Sequence, residues 1–390
     1  MNTRSEFIER LGRPGTTVAA ELVRTRLEGG GRVLDLKGMG TTDGRLPEHV
    51  LEAAERAVRN IREISSQGLA SLREAISVKL KKENSIDADP SSEILVTTGA
   101  KQAIFVVMAA FLNPGDEVLM HAPNYVFDGS VQLQGALPRH IPTREADGFY
   151  LNLDHADVLV TPRTKMVILC NPVNPTGHLP SRAEVEAFGR FAERHDLLVV
   201  ADESYEKYIF GAARMVSLAS YREFRSRVVT IHSFSKSYSL APFRLGYIAA
   251  TPEVISVCRR VMEWINIYLN PVSQEAACAA LTGAQDWVAR MIGDWQKARD
   301  RFVSLLAEVP GLSYMPPEAT GSVFLNIGPY GESSENVSRM LFEEYGIPSV
   351  AGSVFDGEGY IRLCFGGSPE IQKDAILRLK ESLAKHRRTT

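Results

Sequence analysis

Val228-Val229-Thr230-Ile231-His232-Ser233-Phe234-Ser235-Lys236 is an apolar run that ends in small hydroxyls and a lysine, and Arg244 follows eight residues later. A Val/Ile stretch of this kind reads as a strand buried on both faces. A lysine just beyond it stands where desolvation and neighbouring cations lower its pKa, so that its amine can attack a carbonyl. Ser233, Ser235 and Arg244 add hydrogen-bond donors and positive charge suited to a phosphate. The combination points to Schiff-base chemistry with pyridoxal 5'-phosphate as cofactor. A lysine taken alone is far more often a solvated surface charge, so this reading depends on the rest of the chain.

Outward from that run, Ile94–Thr97, Val118–Met120, Met166–Cys170, Leu197–Ala201 and Leu245–Ala250 are further apolar stretches, and Val33–Leu36 reads as an extra strand near the start. Amphipathic helices fall between them. One is marked by Ser181 with Glu184 three residues later, then Val185, Phe188, Phe191 and Ala192 on one face. Buried strands alternating with helices imply a mostly parallel sheet covered on both sides. Such sheets bind ligands beyond the carboxyl ends of their strands. Polar residues gather there: Thr98-Gly99-Ala100-Lys101, then Asn171 to Gly177, then Asp202 to Tyr205. The last hundred residues read differently, as a helix from Trp287 to Ala307, short strands at Val323–Ile327 and Tyr360–Cys364, and a closing helix from Glu370 to Leu383.

With 390 residues, 44% hydrophobic and 23% charged, the chain is long enough for two domains with ample core. A net charge of -3 with both signs interspersed offers no basic face for nucleic acid. Cys170, Cys258, Cys278 and Cys364 lie far apart, which suggests reduced buried thiols and neither a disulfide framework nor a metal site. Glu6, Arg10 and Arg13 interrupt the start where a signal peptide needs an apolar core, and no uncharged run approaches the ~18 residues that span a bilayer. The expectation is a cytoplasmic protein without a membrane partner.

Three motifs add chemistry. Asn171-Pro172-Val173-Asn174-Pro175-Thr176-Gly177 is a loop in which prolines fix φ and glycine permits a tight turn, so that Asn174 can be held in one orientation. Asp202 ends an apolar strand, where a carboxylate serves as a helix cap or as the partner of a pyridinium nitrogen. Thr98-Gly99-Ala100-Lys101 opens a helix over Gln102 to Leu112, and a glycine before a helix N-terminus makes an anion seat from backbone N–H groups. It lacks the GK[ST] of a Walker A loop. Gly38-Met39-Gly40 is no dinucleotide fingerprint either, because Gly44 falls one place too far.

In order and spacing these segments resemble the class I aminotransferases, the fold-type I pyridoxal-phosphate enzymes that include aspartate, aromatic and arginine–pyruvate aminotransferases. Leu72-Arg73-Glu74-Ala75-Ile76, Asn113-Pro114-Gly115-Asp116-Glu117-Val118, Asp202-Glu203-Ser204-Tyr205-Glu206-Lys207, Arg244-Leu245-Gly246 and Tyr360-Ile361-Arg362-Leu363 extend the resemblance over nearly the whole chain. It implies an α/β fold with a seven-stranded, mostly parallel sheet in a large domain over residues 45–285. The smaller α/β domain would combine residues 1–44 and 286–390. It also implies a homodimer with shared active sites, and transfer of an amino group from an L-amino acid to a 2-oxo acid.

By the same resemblance Lys236 binds the cofactor covalently and moves the substrate proton, Asp202 faces the pyridine nitrogen, and Asn174 and Tyr205 hydrogen-bond the phenolic oxygen. Tyr125 stacks on the ring. Gly99, Ala100, Lys101, Ser233, Ser235 and Arg244 form the phosphate cup. Arg362 takes the substrate α-carboxylate, a role suited to a planar fork, and Gly40 belongs to a backbone segment that closes over the substrate. Two positions depart from the pattern. Glu63 stands where relatives often carry a tyrosine that reaches the partner's phosphate; Ser65 or Ser66 could take that place, leaving Glu63 as a solvated carboxylate or a partner for a cationic substrate such as arginine or ornithine. Asp128 stands where relatives often carry an aromatic residue. Substrate choice would rest with Thr41–Leu46, Glu63 and Tyr268–Asn270. The same lysine, aspartate and arginine would serve a lyase, a replacement enzyme or a cyclising enzyme, since all begin by deprotonating Cα; a non-catalytic module that senses the cofactor is the remaining alternative.

Overall fold

Six apolar stretches between residues 94 and 249 assemble into one sheet because almost every residue in them is buried on both faces, which only a covered sheet permits, and a seventh, more polar strand closes one edge. The computed structural model describes Ile8 and residues 11–41, 44–60, 63–125 and 127–386; the candidate pocket residues Thr42 and Asp43 lie outside them. The strands are β1 (Ile94–Thr97), β2 (Glu117–Ala122), β3 (Leu137–Pro142), β4 (Thr164–Cys170), β5 (Leu198–Asp202), β6 (Val228–Ser233) and β7 (Gly246–Ala249), in spatial order β1-β7-β6-β5-β4-β2-β3. All pairings are parallel except those of β7, which runs against both β1 and β6. Reversing β7 brings its first residue to the edge where its neighbours end: Gly246 pairs with Ser233 of β6 and with Thr97 of β1. The carboxyl ends of β1, β4, β5 and β6 therefore open on one side.

The expected strands fall within one or two residues of the observed ones. The helix expected from Gln102 begins earlier, at Ala100, and runs to Phe111. The helix Arg182–Arg194 has the full capping box: Ser181 Oγ accepts from the Glu184 amide at 3.3 Å, and Glu184 accepts from the Ser181 amide at 2.8 Å. Val33–Leu36 is not a strand. Its Leu34 amide donates to the Gly346 carbonyl at 2.9 Å, but no ladder forms.

A second, antiparallel sheet of three strands is formed by β8 (Ser322–Asn326), β9 (Val350–Ala351) and β10 (Tyr360–Cys364), in order β8-β10-β9. The helices Asp286–Leu306 and Pro369–His386 pack on one another beside it. Two aromatic groups tie the sheets together. Phe365, just past β10, meets Phe210, Trp295 and Phe302 with ring centroids 6.1, 5.8 and 6.4 Å away. Phe149, from the β3–β4 connection, packs on Phe324 and Tyr360, which stack on each other at 4.8 Å. Glu145 Oε2 from the same connection accepts hydrogen bonds from Ser313, Asn326 and Tyr360.

Phe365 is fully buried. Phe365→Ala should lower unfolding stability by about 3–5 kcal/mol through lost transfer free energy and the cavity left behind. The shift of the denaturant midpoint at unchanged m-value measures it.

Candidate active site

The common edge of the large sheet encloses a cavity of about 250 Å³. β6 delivers Ser233 and then a single helical turn, Phe234–Ser237, so Lys236 follows the strand end directly. Ser233 caps that turn by accepting from the Ser235 amide at 3.2 Å. The chain then folds back to β7 through Arg244, which adopts a left-handed conformation (φ 53°) and donates from Nη1 to Ser235 Oγ at 3.3 Å and to the Ala241 carbonyl at 3.1 Å. One connection thus carries the lysine, the serines and the arginine together.

β5 ends in Asp202, which lies beside Cys170 of β4 and Ile231 of β6 in the register. Its Oδ1 accepts from the Ser204 amide at 3.0 Å. The Asn171–Gly177 loop after β4 has both of its X–Pro bonds cis and brings Asn174 into the cavity wall. Tyr205 lies with its ring centroid 5.5 Å from Lys236 Nζ, and Tyr125 with its centroid 5.4 Å from Lys101 Nζ. From the second sheet, Arg362 of β10 donates to Asn174 Oδ1 at 3.3 Å and lies over the ring of Phe355, 4.8 Å from its centroid. Gly40 sits above Tyr208, whose hydroxyl accepts from the Gly40 amide at 2.8 Å, while Trp295 Nε1 donates to the Gly40 carbonyl at 2.7 Å.

The electrostatics follow from burial. Loss of solvent lowers the pKa of Lys236; Asp202 opposes the shift, and Arg244, Arg362 and Lys101 add to it. Burial likewise lowers Lys101 and raises Tyr205 and Tyr125. Beneath Asp202 lies a second charged layer. Burial pushes Glu203 up to about 8, while Ser217 Oγ donates to its Oε1 at 2.7 Å. Glu206 is held well below the usual carboxylate range: burial alone would raise it, but Lys79 and His232 outweigh that effect. Lys79 pairs with Glu206 and donates to Asn84 Oδ1 at 2.7 Å.

An anion seat lies at one end of the cavity. The helix Ala100–Phe111 starts there with no side-chain cap, so its N-terminal partial charge faces the opening. Gly99 has φ +84°, and a Cβ on it would stand 2.8 Å from Arg244 Nη2; glycine is what lets the guanidinium approach the helix end. Gly246 does the same from the other side, where a Cβ would lie 2.8 Å from the Ala100 amide nitrogen. Ser204 Oγ, also in the wall, is buried without a partner.

Of the residues expected from sequence, Ala100, Lys101, Tyr125, Asn174, Asp202, Tyr205, Ser233, Ser235, Lys236 and Arg244 all line this one cavity. Gly99, Gly40 and Arg362 border it through the contacts above. Glu63 and Ser65 are exposed and outside its wall, and Ser66 Oγ is engaged elsewhere, donating to Glu263 at 2.8 Å and accepting from Arg259 at 3.0 Å. Met39, Ser204 and Cys170 line the cavity without having been singled out. Cys170 was within reach, because the strand expected to end there lies alongside the one ending near Asp202.

Comparison with known proteins places this geometry. A family model described as "Aminotransferase class I and II" matches residues 35–379. The chain is 32% identical over 381 residues to a probable aspartate/prephenate aminotransferase of Aquifex aeolicus, covering 95% of each. Among solved structures, an aromatic aminotransferase from Pyrococcus horikoshii superposes with TM-score 0.86 at 34% identity over 93% of this chain and 99% of that one. An aspartate aminotransferase from Thermus thermophilus gives TM-score 0.91 at 27% identity over 98% and 100%. The chain belongs to the class I and II aminotransferase family, with the fold-type I architecture, and is an enzyme that transfers amino groups between amino acids and oxo acids.

Gly99→Ala should weaken binding of a phosphate anion at this seat by about tenfold or more, since the side chain both strains a glycine-only conformation and displaces Arg244. Equilibrium titration of variant and wild type with inorganic phosphate measures the loss.

Proposed function

We propose that the chain binds pyridoxal 5'-phosphate in this cavity and uses it to move an amino group from an L-amino acid to a 2-oxo acid. The observation that carries this reading is one enclosure holding a buried lysine amine of lowered pKa, a facing carboxylate and an uncapped helix end beside Arg244. The residues suit the group: the helix N-terminus, Ser233, Ser235 and Arg244 would hold the phosphate, Asp202 the ring nitrogen, Asn174 and Tyr205 the phenolic oxygen, and Tyr125 the ring face. When bound, the cofactor supplies an electron sink for charge developing at the substrate Cα.

The protein's own residues do the rest. Arg362, steadied by Asn174 and Phe355, pairs with the substrate α-carboxylate through its guanidinium fork. That contact turns Cα toward Lys236. Nζ of Lys236, whose pKa burial and the surrounding cations lower, would carry the proton from the substrate Cα to the bound cofactor in the first half-reaction and from the cofactor to Cα of the incoming oxo acid in the second. Gly40 and its neighbours exclude water from above. Glu63 is exposed and lies outside the cavity of its own chain, so among the described residues the cavity wall itself holds no carboxylate for a basic side chain beyond Asp202. The relatives' names point instead to aspartate and aromatic amino acids, and we take those as the donor classes.

We also propose that the protein works as a homodimer in the cytoplasm, with residues 45–285 as the large domain and 1–44 with 286–390 as the small one. Trp264 is 93% exposed, and Ile265, Ile267 and Tyr268 beside it are exposed too, an apolar patch that a second copy would cover. The patch adjoins the cofactor seat, since Asn266 Nδ2 donates to Thr98 Oγ1 at 3.3 Å. All four cysteines are free thiols, which agrees with a reducing compartment. Among the described residues no helix is long and apolar enough to cross a membrane.

The test is the visible absorption of the protein saturated with pyridoxal phosphate, followed as L-amino acids are added without acceptor. Bleaching with stoichiometric release of a 2-oxo acid supports the reading and identifies the donor; ammonia release instead overturns it. Lys236→Ala should still bind the cofactor but give no adduct on borohydride treatment, and should lose at least about 10³-fold in turnover. Trp264→Glu should shift the protein toward monomer in analytical ultracentrifugation while leaving its circular dichroism unchanged.

A further inference from the structure

Three charged side chains from distant segments meet beside the cavity. Asp128 opens the short helix Asp128–Gln132, His140 lies on edge strand β3, and Asp356 follows the turn Gly352–Phe355 that leads into the second sheet. His140 Nε2 lies 2.7 Å from Asp128 Oδ1 and 3.4 Å from Asp356 Oδ2. One ligating atom from each of the three lies within 4.8 Å of the others. Asp356 is also held by Asn124, whose Nδ2 donates to its Oδ2 at 2.9 Å, and the Asn124 amide donates to the Phe355 carbonyl at 2.9 Å. The neighbours on either side of these contacts are functional ones: Tyr125 follows Asn124, and the ring of Phe355 supports the Arg362 guanidinium.

We propose that Asp128, His140 and Asp356 form a clasp between the two sheets, and that His140 is a positioning residue which, through Asp356 and Phe355, sets where Arg362 stands over the cavity. The inference rests on the reading of Arg362 as the carboxylate-binding residue. Protonated His140 places one positive charge between the two carboxylates and offsets their repulsion. Neutral His140 leaves them facing each other at short range, and the repulsion drives the Asp356 turn, and Arg362 with it, away from the large sheet.

The hydrogen bond to Asp128 raises the pKa of His140, against the effect of burial. The sign follows: the clasp is fully closed below the ordinary histidine value and loosens as pH rises through the raised one. Burial raises Asp356, and His140 opposes the shift. Other charged and titratable groups near the clasp include His121 on the adjacent strand, which burial holds neutral down to about pH 4, Lys101, which faces Asp128 and whose pKa burial lowers, and Glu335, which accepts from Ser353 Oγ in the Asp356 turn at 3.3 Å. His121 is therefore neutral throughout the range of the test and does not mimic His140.

The experiment uses the cofactor-loaded enzyme and the 2-methyl analogue of its best amino donor, which carries the α-carboxylate but no Cα hydrogen. Its Kd is measured by intrinsic fluorescence from about pH 6 to about pH 9, alongside KM and kcat for the donor itself. For the wild type, Kd and KM should rise about three- to tenfold across that range, with kcat nearly constant. His140→Gln should bind weakly at every pH, His140→Lys tightly at every pH, and Asp356→Asn should lose most of the pH dependence because only one carboxylate remains. Identical Kd–pH curves for wild type and His140→Gln overturn the clasp. So does a wild type converted to Gln-like binding by EDTA, which would make the cluster a metal site. Arg362→Gln separates the two readings: if it leaves Kd unchanged, the carboxylate assignment itself fails, whereas if it weakens binding while the His140 variants do not, only the clasp is lost.

Discussion

An amine buried among cations is the condition on which this site depends. Lys236 is buried with Arg244, Arg362 and Lys101 around it and Asp202 to offset them, in surroundings where charges act strongly because water is excluded. That field has two effects. It favours the unprotonated amine, which is the nucleophilic and basic form, and it draws anions into the same space. On the proposed reading a phosphate and a substrate carboxylate are both anions, so the arrangement that frees the lysine's lone pair also recruits the molecules it acts on. The guanidinium groups are suited to this because a guanidinium keeps its charge on burial more readily than an amine does.

The sheet supplies the arrangement. Parallel strands finish at one edge, and their register puts Cys170, Asp202 and Ile231 side by side. Two further charges, Glu206 and Lys79, are paired just beneath, with His232 3.3 Å from Glu206. Buried pairs of this kind seldom add much stability, but breaking one is costly, which keeps the strand ends fixed in one position. The residues from Asp202 to Glu206 therefore face both ways: Asp202 and Tyr205 into the cavity, Glu203 and Glu206 into the layer below.

The strands buried on both faces were legible in the sequence because continuous Val, Ile and Leu leaves few alternatives. Part of the cavity lining was legible because glycines, prolines and hydroxyls fall at the strand ends, whereas Tyr125, Tyr205, Arg362 and Gly40 were expected only from the resemblance of whole motifs. β3 was not. Leu137-Pro138-Arg139-His140-Ile141-Pro142 buries only Ile141 and carries two prolines, which an edge strand tolerates and a pattern search rejects. β9, with two residues, is too short to carry a period. The opposite error occurred at Val33–Leu36, whose residues are apolar enough for a strand but find no neighbour to pair with. Contacts between remote segments were also out of reach: Arg362 with Asn174, Trp295 with Gly40, and the meeting of Asp128, His140 and Asp356 depend on how the two sheets are set against each other, and no local spacing encodes that.

The connection from β6 to β7 has a consequence for how such an enzyme changes over time. Ser233, Ser235, Lys236 and Arg244 leave one strand and return on its neighbour, closed by the bonds from Arg244 to Ser235 and Ala241. On the proposed reading the reactive group and the ionic anchors for the cofactor sit on one short tether. A substitution that loosens the tether to give the lysine more reach also loosens the grip on the phosphate, so catalytic reach and cofactor retention are inherited as a single trait. New substrate preferences are then more easily acquired elsewhere, on the elements that border the cavity from the second sheet and from the N-terminal segment.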